Sequence, residues 1–133
     1  MKFRKFKQHK LWRDNAVNFI EQRGSKVTWT RLNDEEFSEQ IKLKLMEEAE
    51  EVCAAKDKLE LIEELADVLE VIDSFCEVNK FTLQDVMDKQ KQKHQERGGF
   101  EGRKFVSVAE HPEGGYGEKY CLAAPEKYPE IID

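Results

Sequence analysis

No CxxC pair occurs in the sequence, and its three cysteines, Cys53, Cys76 and Cys121, stand far apart. That spacing offers neither a disulfide framework nor a zinc site, and it points to a reducing, intracellular setting. No stretch approaches the ~18 apolar residues of a membrane span. The N-terminus is basic but lacks the apolar stretch of a secretory signal. Before Gly98 there is one glycine, Gly24, and no proline. Alternating β-branched residues are equally scarce. Residues 26–32 (KVTWTRL) read as an extended connector or one short strand, and residues 105–108 (FVSV) as a possible second. Two such fragments cannot build a sheet, and no repeat recurs at a fixed period.

What is there is charge. Charged residues make up 38% of the 133, with a net charge of −6. The length fits one domain, with roughly two thirds of the unfolded surface buried on folding. The acidic balance argues against a binder of nucleic-acid polymers driven by bulk charge. The charge is unevenly spread. Residues 1–13 carry six bases and no acid, whereas acids dominate residues 34–88. The expectation is a soluble, cytoplasmic protein with no membrane contact.

Helical patterns fill the body. A first helix is expected over about residues 13–23, closed by Gly24-Ser25. Asn33 or Asp34 caps a second, reaching about Ala55. Asp57, with Glu60 three residues on, caps a third that runs to about Asn79. Thr82, with Asp85 three residues on, caps a fourth ending at Gly98-Gly99. The fold expected is all-α, an antiparallel bundle of about four helices in which the second and third pair across a short turn. Residues 1–100 form this domain, the first ten being a basic arm. Residues 101–133, with all three prolines, form an irregular tail.

The stretch LKLMEEAEEV, residues 43–52, holds the informative anomaly. At ~100° per residue, Phe37, Ile41, Leu45 and Val52 share one stripe. Glu48 falls inside that stripe and Glu51 on its edge, while Glu47 and Glu50 point to solvent. On the third helix Leu61, Ile62, Leu65, Leu69, Ile72 and Cys76 read as the core stripe, widened by Val68, Val71 and Phe75. Glu64 falls among that widening set and Asp67 just past it, whereas Glu63, Glu70 and Glu77 line the solvated side. The pairs Glu48/Glu51 and Glu64/Asp67 each have the spacing of one turn, so each lies on one face. On antiparallel helices the two pairs converge. Four carboxylates cannot stay ionised in a dry groove, because burying unpaired charge costs several kcal/mol per ion. Shared protons, lysines or a hard divalent cation could neutralise them. Two intruding pairs on adjacent helices favour the cation, Mg²⁺ or Mn²⁺.

These residues also resemble a known family. Glu47-Glu48-x-x-Glu51, then twelve residues, then Glu64-x-x-Asp67 is similar to the EExxE…ExxD signature of the MazG-type, all-α nucleotide pyrophosphohydrolases. KLWRDN (residues 10–15) and ERGGFEGR (residues 96–103) resemble the KLVRDxIP opening and ERGGFE close of a phosphoribosyl-ATP-pyrophosphohydrolase-like subgroup. Trp12, Ala16 and Val17 depart from that opening. The resemblance implies Mg²⁺, with Mn²⁺ as a substitute, held by Glu48, Glu51, Glu64 and Asp67. It implies a homodimer or homotetramer, and hydrolysis of a nucleoside triphosphate to monophosphate and pyrophosphate. Glu47 and Glu48 are then the catalytic candidates, Glu47 by orienting the attacking water.

A triphosphate needs cations. Lys89, Lys93 and Arg97 form one stripe on a fourth helix with nothing apolar in its second half. Lys93, Arg97, Arg103, Lys10 and Arg13 are the phosphate candidates. Three functions follow: a house-cleaning nucleoside triphosphate pyrophosphohydrolase, a phosphoribosyl-ATP pyrophosphohydrolase of histidine biosynthesis, or a helical dimerisation module whose acids bind cations or a basic partner. The complete acidic set speaks against the third.

Overall fold

The computed structural model describes residues 2–133, and the described chain is all-helical, with no strand. It divides into two compact units, Met1–Gln95 and Glu96–Asp133.

Five helices follow one another: α1 (Asp14–Glu21), α2 (Asp34–Ala54), α3 (Lys58–Asn79), α4 (Leu83–Arg97) and α5 (Tyr116–Leu122). Local chemistry sets their ends. The Asn33 side chain accepts from the backbone N–H of Glu36, whose carboxylate accepts from the N–H of Asn33, so both halves of a capping box start α2. Asp57 accepts from the N–H of Glu60 and starts α3. At α4 the box is again complete, with Asp85 accepting from the N–H of Thr82 and the Thr82 hydroxyl from that of Asp85. Gly24 closes α1 at φ 96°, a left-handed conformation that costs glycine nothing. Lys80 adopts the same region at φ 61° after α3, where only a side chain's modest strain stands against it.

Helices α2 and α3, joined by three residues, pack along each other as an antiparallel hairpin; among the described residues no other helix pair packs so closely. On α2 the packed face is the expected one, with Ile41 and Glu48 buried and Phe37, Leu45 and Val52 half-buried. On α3 it is a different face. The half-buried or buried residues there are Glu64, Asp67, Val68, Val71, Phe75 and Val78. The leucine stripe expected to be core is instead open: Leu61, Ile62, Leu65 and Leu69 are exposed, Leu65 by 46% and Leu69 by 57%. Of that stripe Ile72 is half-buried and Cys76 buried. One partner helix covers one side of a cylinder, and α2 lies on the side that carries the carboxylates.

The second unit corrects two further expectations. Residues 105–108 form no strand, having no second strand to bond. The tail is not wholly irregular, because α5 forms there. Its Tyr120 ring stands 6.1 Å from that of Tyr116 and 5.6 Å from that of Tyr128. Rings one turn apart on a short helix, met by a third from the following turn, give these few residues a small aromatic nucleus of their own.

Candidate metal centre

The α2–α3 register brings Glu48, Glu64 and Asp67 together. One carboxylate oxygen from each lies within 4.8 Å of the others. Glu48 is 7% exposed, the one charged residue among the buried set. Its nearest cation is Lys44 one turn earlier, with Nζ 3.5 Å from Oε1. Glu64 is held above the ordinary carboxylate range by partial desolvation and by the charges of Glu51, Asp67, Glu48 and Glu60, in that order. Glu51 lies outside the three-oxygen group and is exposed, yet among the charges its effect on Glu64 is the largest.

This donor set fits a hard divalent cation. It is all oxygen, it is acidic, and its buried member is short of positive charge. Mg²⁺ holds oxygens at about 2.0–2.1 Å in an octahedron, which leaves neighbouring ligand atoms roughly 3 Å apart. Side-chain rotation would have to bring the three carboxylates closer than their present spacing of up to 4.8 Å.

Residues 10–13 cross this end of the hairpin. Lys10 Nζ donates to Glu47 Oε1 on α2 at 3.1 Å, and Arg13 Nη2 donates to Asp67 Oδ1 on α3 at 2.7 Å. Arg13 Nη1 also stands 3.7 Å from Glu70 Oε2. The guanidinium is held above its ordinary value chiefly by the bond to Asp67, with partial desolvation opposing and the charges of Asp67, Glu70 and Glu48 adding to it. Arg13 is the N-cap of α1, in extended conformation, and its carbonyl accepts from Ala16. Its position is therefore tied to a helix start rather than to the arm before it.

Glu47 does not lie on an open wet face as expected. It is half-buried between Lys10 and Lys44, the latter at 3.6 Å, because the preceding segment folds back over it. A recess beside it is lined by Gln8, His9, Lys10, Gln40, Lys44 and Glu47. Glu50 is exposed. Two participants escaped the sequence reading. Lys44 pairs with the first two glutamates of the motif, Glu47 and Glu48, a partnership that its spacing to Glu48 could have shown. Glu70 was assigned to the solvated side, and only the return of Arg13 gives it a partner. Of the expected phosphate cations, Lys10 and Arg13 reach the acidic site. Lys93 is exposed on α4, which packs on neither α2 nor α3. Arg97 and Arg103 belong to the second unit.

An all-helical hairpin that draws carboxylates from both arms onto one spot defines a class of acidic, metal-ready helical site. Residues 37–99 match the family model of the MazG nucleotide pyrophosphohydrolase domain. That stretch, from Phe37 on α2 to just past the end of α4, is similar to the MazG-type superfamily. No curated protein matches the chain, and no solved structure does.

Proposed function

We propose that this protein is a divalent-metal-dependent nucleoside triphosphate pyrophosphohydrolase, releasing a monophosphate and pyrophosphate, and that its role is house-cleaning. The observation that carries this reading is the convergence of Glu48, Glu64 and Asp67 within a stretch of MazG type. Glu48, Glu64 and Asp67 would hold Mg²⁺ or Mn²⁺, with Glu51 as the fourth carboxylate within reach. The bound ion would supply charge neutralisation at phosphate oxygens and a more acidic water. Glu47, paired with Lys10 and Lys44, would orient that water and accept its proton. Lys10 and Arg13 are the phosphate cations on this reading, with Lys93, Arg97 and Arg103 as further candidates.

A homodimer or homotetramer belongs to the same proposal. Leu61, Ile62, Leu65 and Leu69 on α3, Leu43 and Met46 on α2, and Val86 and Met87 on α4 are exposed. A helix apolar around most of its circumference needs neighbours on more than one side. A second copy, meeting the same patch across a two-fold axis, is the economical cover.

The test is pyrophosphate release, measured with Mg²⁺ over a panel of ordinary, deoxy- and modified nucleoside triphosphates together with phosphoribosyl-ATP. Turnover of a triphosphate supports house-cleaning. Turnover of phosphoribosyl-ATP alone moves the protein to histidine biosynthesis. No release from any member leaves the helical interaction module.

A further inference from the structure

We propose that Arg13 is the internal counter-ion of the acidic site, standing in for the metal when none is bound, and that metal loading frees it to hold the nucleotide's phosphates. This rests on the functional reading above and assigns that site a built-in coupling between metal and nucleotide.

The argument begins with charge. Glu48, Glu64 and Asp67 lie within one ion's reach of each other, and Glu51 and Glu70 stand on the same two helices beside them. Without a metal, such a group needs positive charge from the chain itself. Two side chains supply it. Lys44 comes from within α2 and pairs with Glu48 and Glu47. Arg13 comes from outside the hairpin and meets Asp67 directly. Its guanidinium stands between two carboxylates one turn apart on α3, Asp67 and Glu70, and the charge of Glu48 also acts on it. A planar fork suits that bridging role, and a lysine's point charge does not.

The same geometry makes the contact exchangeable. The Arg13 side chain is 56% exposed and those of Asp67 and Glu70 are 36% and 58% exposed. Exposed ion pairs hold weakly, so this one shifts equilibria by small factors. A dication among the same carboxylates repels the guanidinium and takes over the charge of Asp67. The backbone of Arg13 stays fixed by the start of α1, so the freed side chain remains beside the site. The anion it then meets is the phosphate of the nucleotide, for which a bidentate guanidinium is well shaped. Lys10 follows the same pattern on Glu47 across the other helix. Two ligands that each make room for the other bind with positive coupling.

The test compares the full-length protein with Arg13→Gln. Mn²⁺ affinity is measured alone by calorimetry, and pyrophosphate affinity in excess Mg²⁺. The variant should bind Mn²⁺ roughly two- to five-fold more tightly, having lost a competitor. It should bind pyrophosphate roughly ten-fold more weakly, having lost an anchor. Opposite signs on the two ligands are the signature, and a merely structural arginine would weaken both. On the unaltered protein, Mg²⁺ should shift the Arg13 Nε–H resonance, a readout that needs no variant to fold. Unchanged or weaker Mn²⁺ binding in the variant, unchanged pyrophosphate binding, or an Nε–H signal indifferent to Mg²⁺ overturns the proposal while leaving the metal site standing. Mn²⁺ binding absent from both proteins overturns the functional reading and this inference with it.

Discussion

Glu48 lies two helical turns beyond Ile41 on the same face of α2, and these are the two buried residues of that helix. An isoleucine and a glutamate thus occupy equivalent places against α3. A buried carboxylate with one lysine at 3.5 Å is a costly way to fill a core position. The position makes sense when the chemistry of the site, rather than the stability of the hairpin, selects the side chain.

Replacing that carboxylate should separate stability from metal binding. Glu48→Gln keeps the shape and removes the charge. Melting curves in chelator should show the variant at least as stable as the unaltered protein. Millimolar Mn²⁺ should raise the melting temperature of the unaltered protein, by an amount worth about 2.7 kcal/mol at a hundred-fold excess over Kd. The variant should gain little or nothing, and its pyrophosphate release should be lost. A variant that responds to Mn²⁺ like the parent would remove Glu48 from the site.

Glu64 carries a prediction with a definite sign in pH. Its carboxyl is held above the ordinary value by partial desolvation and then by Glu51, Asp67, Glu48 and Glu60. The folded metal-free chain therefore binds that proton more tightly than the unfolded chain does. Ionising Glu64 destabilises the fold as pH rises from the ordinary carboxylate range through the raised value, and the cost is complete above it. Glu64→Gln should melt higher than the parent at pH 7 in chelator, and the gap should close on acidification. Calorimetric scans across that range check it; a parent protein that is the more stable of the two at pH 7 contradicts it.

The α4 cap behaves in the opposite sense. Asp85 is held below its ordinary value by the backbone N–H of Thr82 and then by the Thr82 hydroxyl. Its contribution is present above the ordinary carboxylate range and is lost as pH falls through the lowered value. Hydrogen exchange of the α4 amides should accelerate in Asp85→Ala at neutral pH and match the parent in strong acid. Thr82→Ala should loosen the same amides by about 1 kcal/mol.

The exposed leucines test assembly. Leu65→Glu or Leu69→Glu puts a charge on the open side of α3, away from α2 and from the carboxylates. If a second copy covers that stripe, light scattering should show the assembly broken into smaller, unstable or aggregated species. A parent protein that runs as a folded monomer at low concentration would refute the cover proposed for the stripe.

Much of this was legible in the sequence because it is local. Asn33 with Glu36, Asp57 with Glu60 and Thr82 with Asp85 bond across three residues, so the helix starts follow from the order of residues. Gly24 ends α1 because the chain there needs positive φ. The intrusion of Glu48 into an apolar stripe is a matter of angle along one helix. Helix α5 was missed because its pattern is short and lies among glycines, and its tyrosines meet only once the following turn is formed.

Which face of α3 meets α2 was decided by tertiary structure alone. The α3 helix has two apolar sides, the leucines and the valine flank, and a wheel drawn for one helix ranks the leucines higher. Packing is a property of two surfaces: Ile41 and Glu48 are the buried residues of α2, Val71 is buried on α3, and Glu48 meets Glu64 and Asp67. The return of Lys10 and Arg13 to Glu47 and Asp67 was equally beyond a local reading, since those pairs are 37 and 54 residues apart. The sequence by itself determined the helices and which acids could serve a site, because turns, caps and periodicity act over a few residues. Only the tertiary structure decided which of those acids meet and which cations answer them, because contacts between distant residues depend on how whole helices dock.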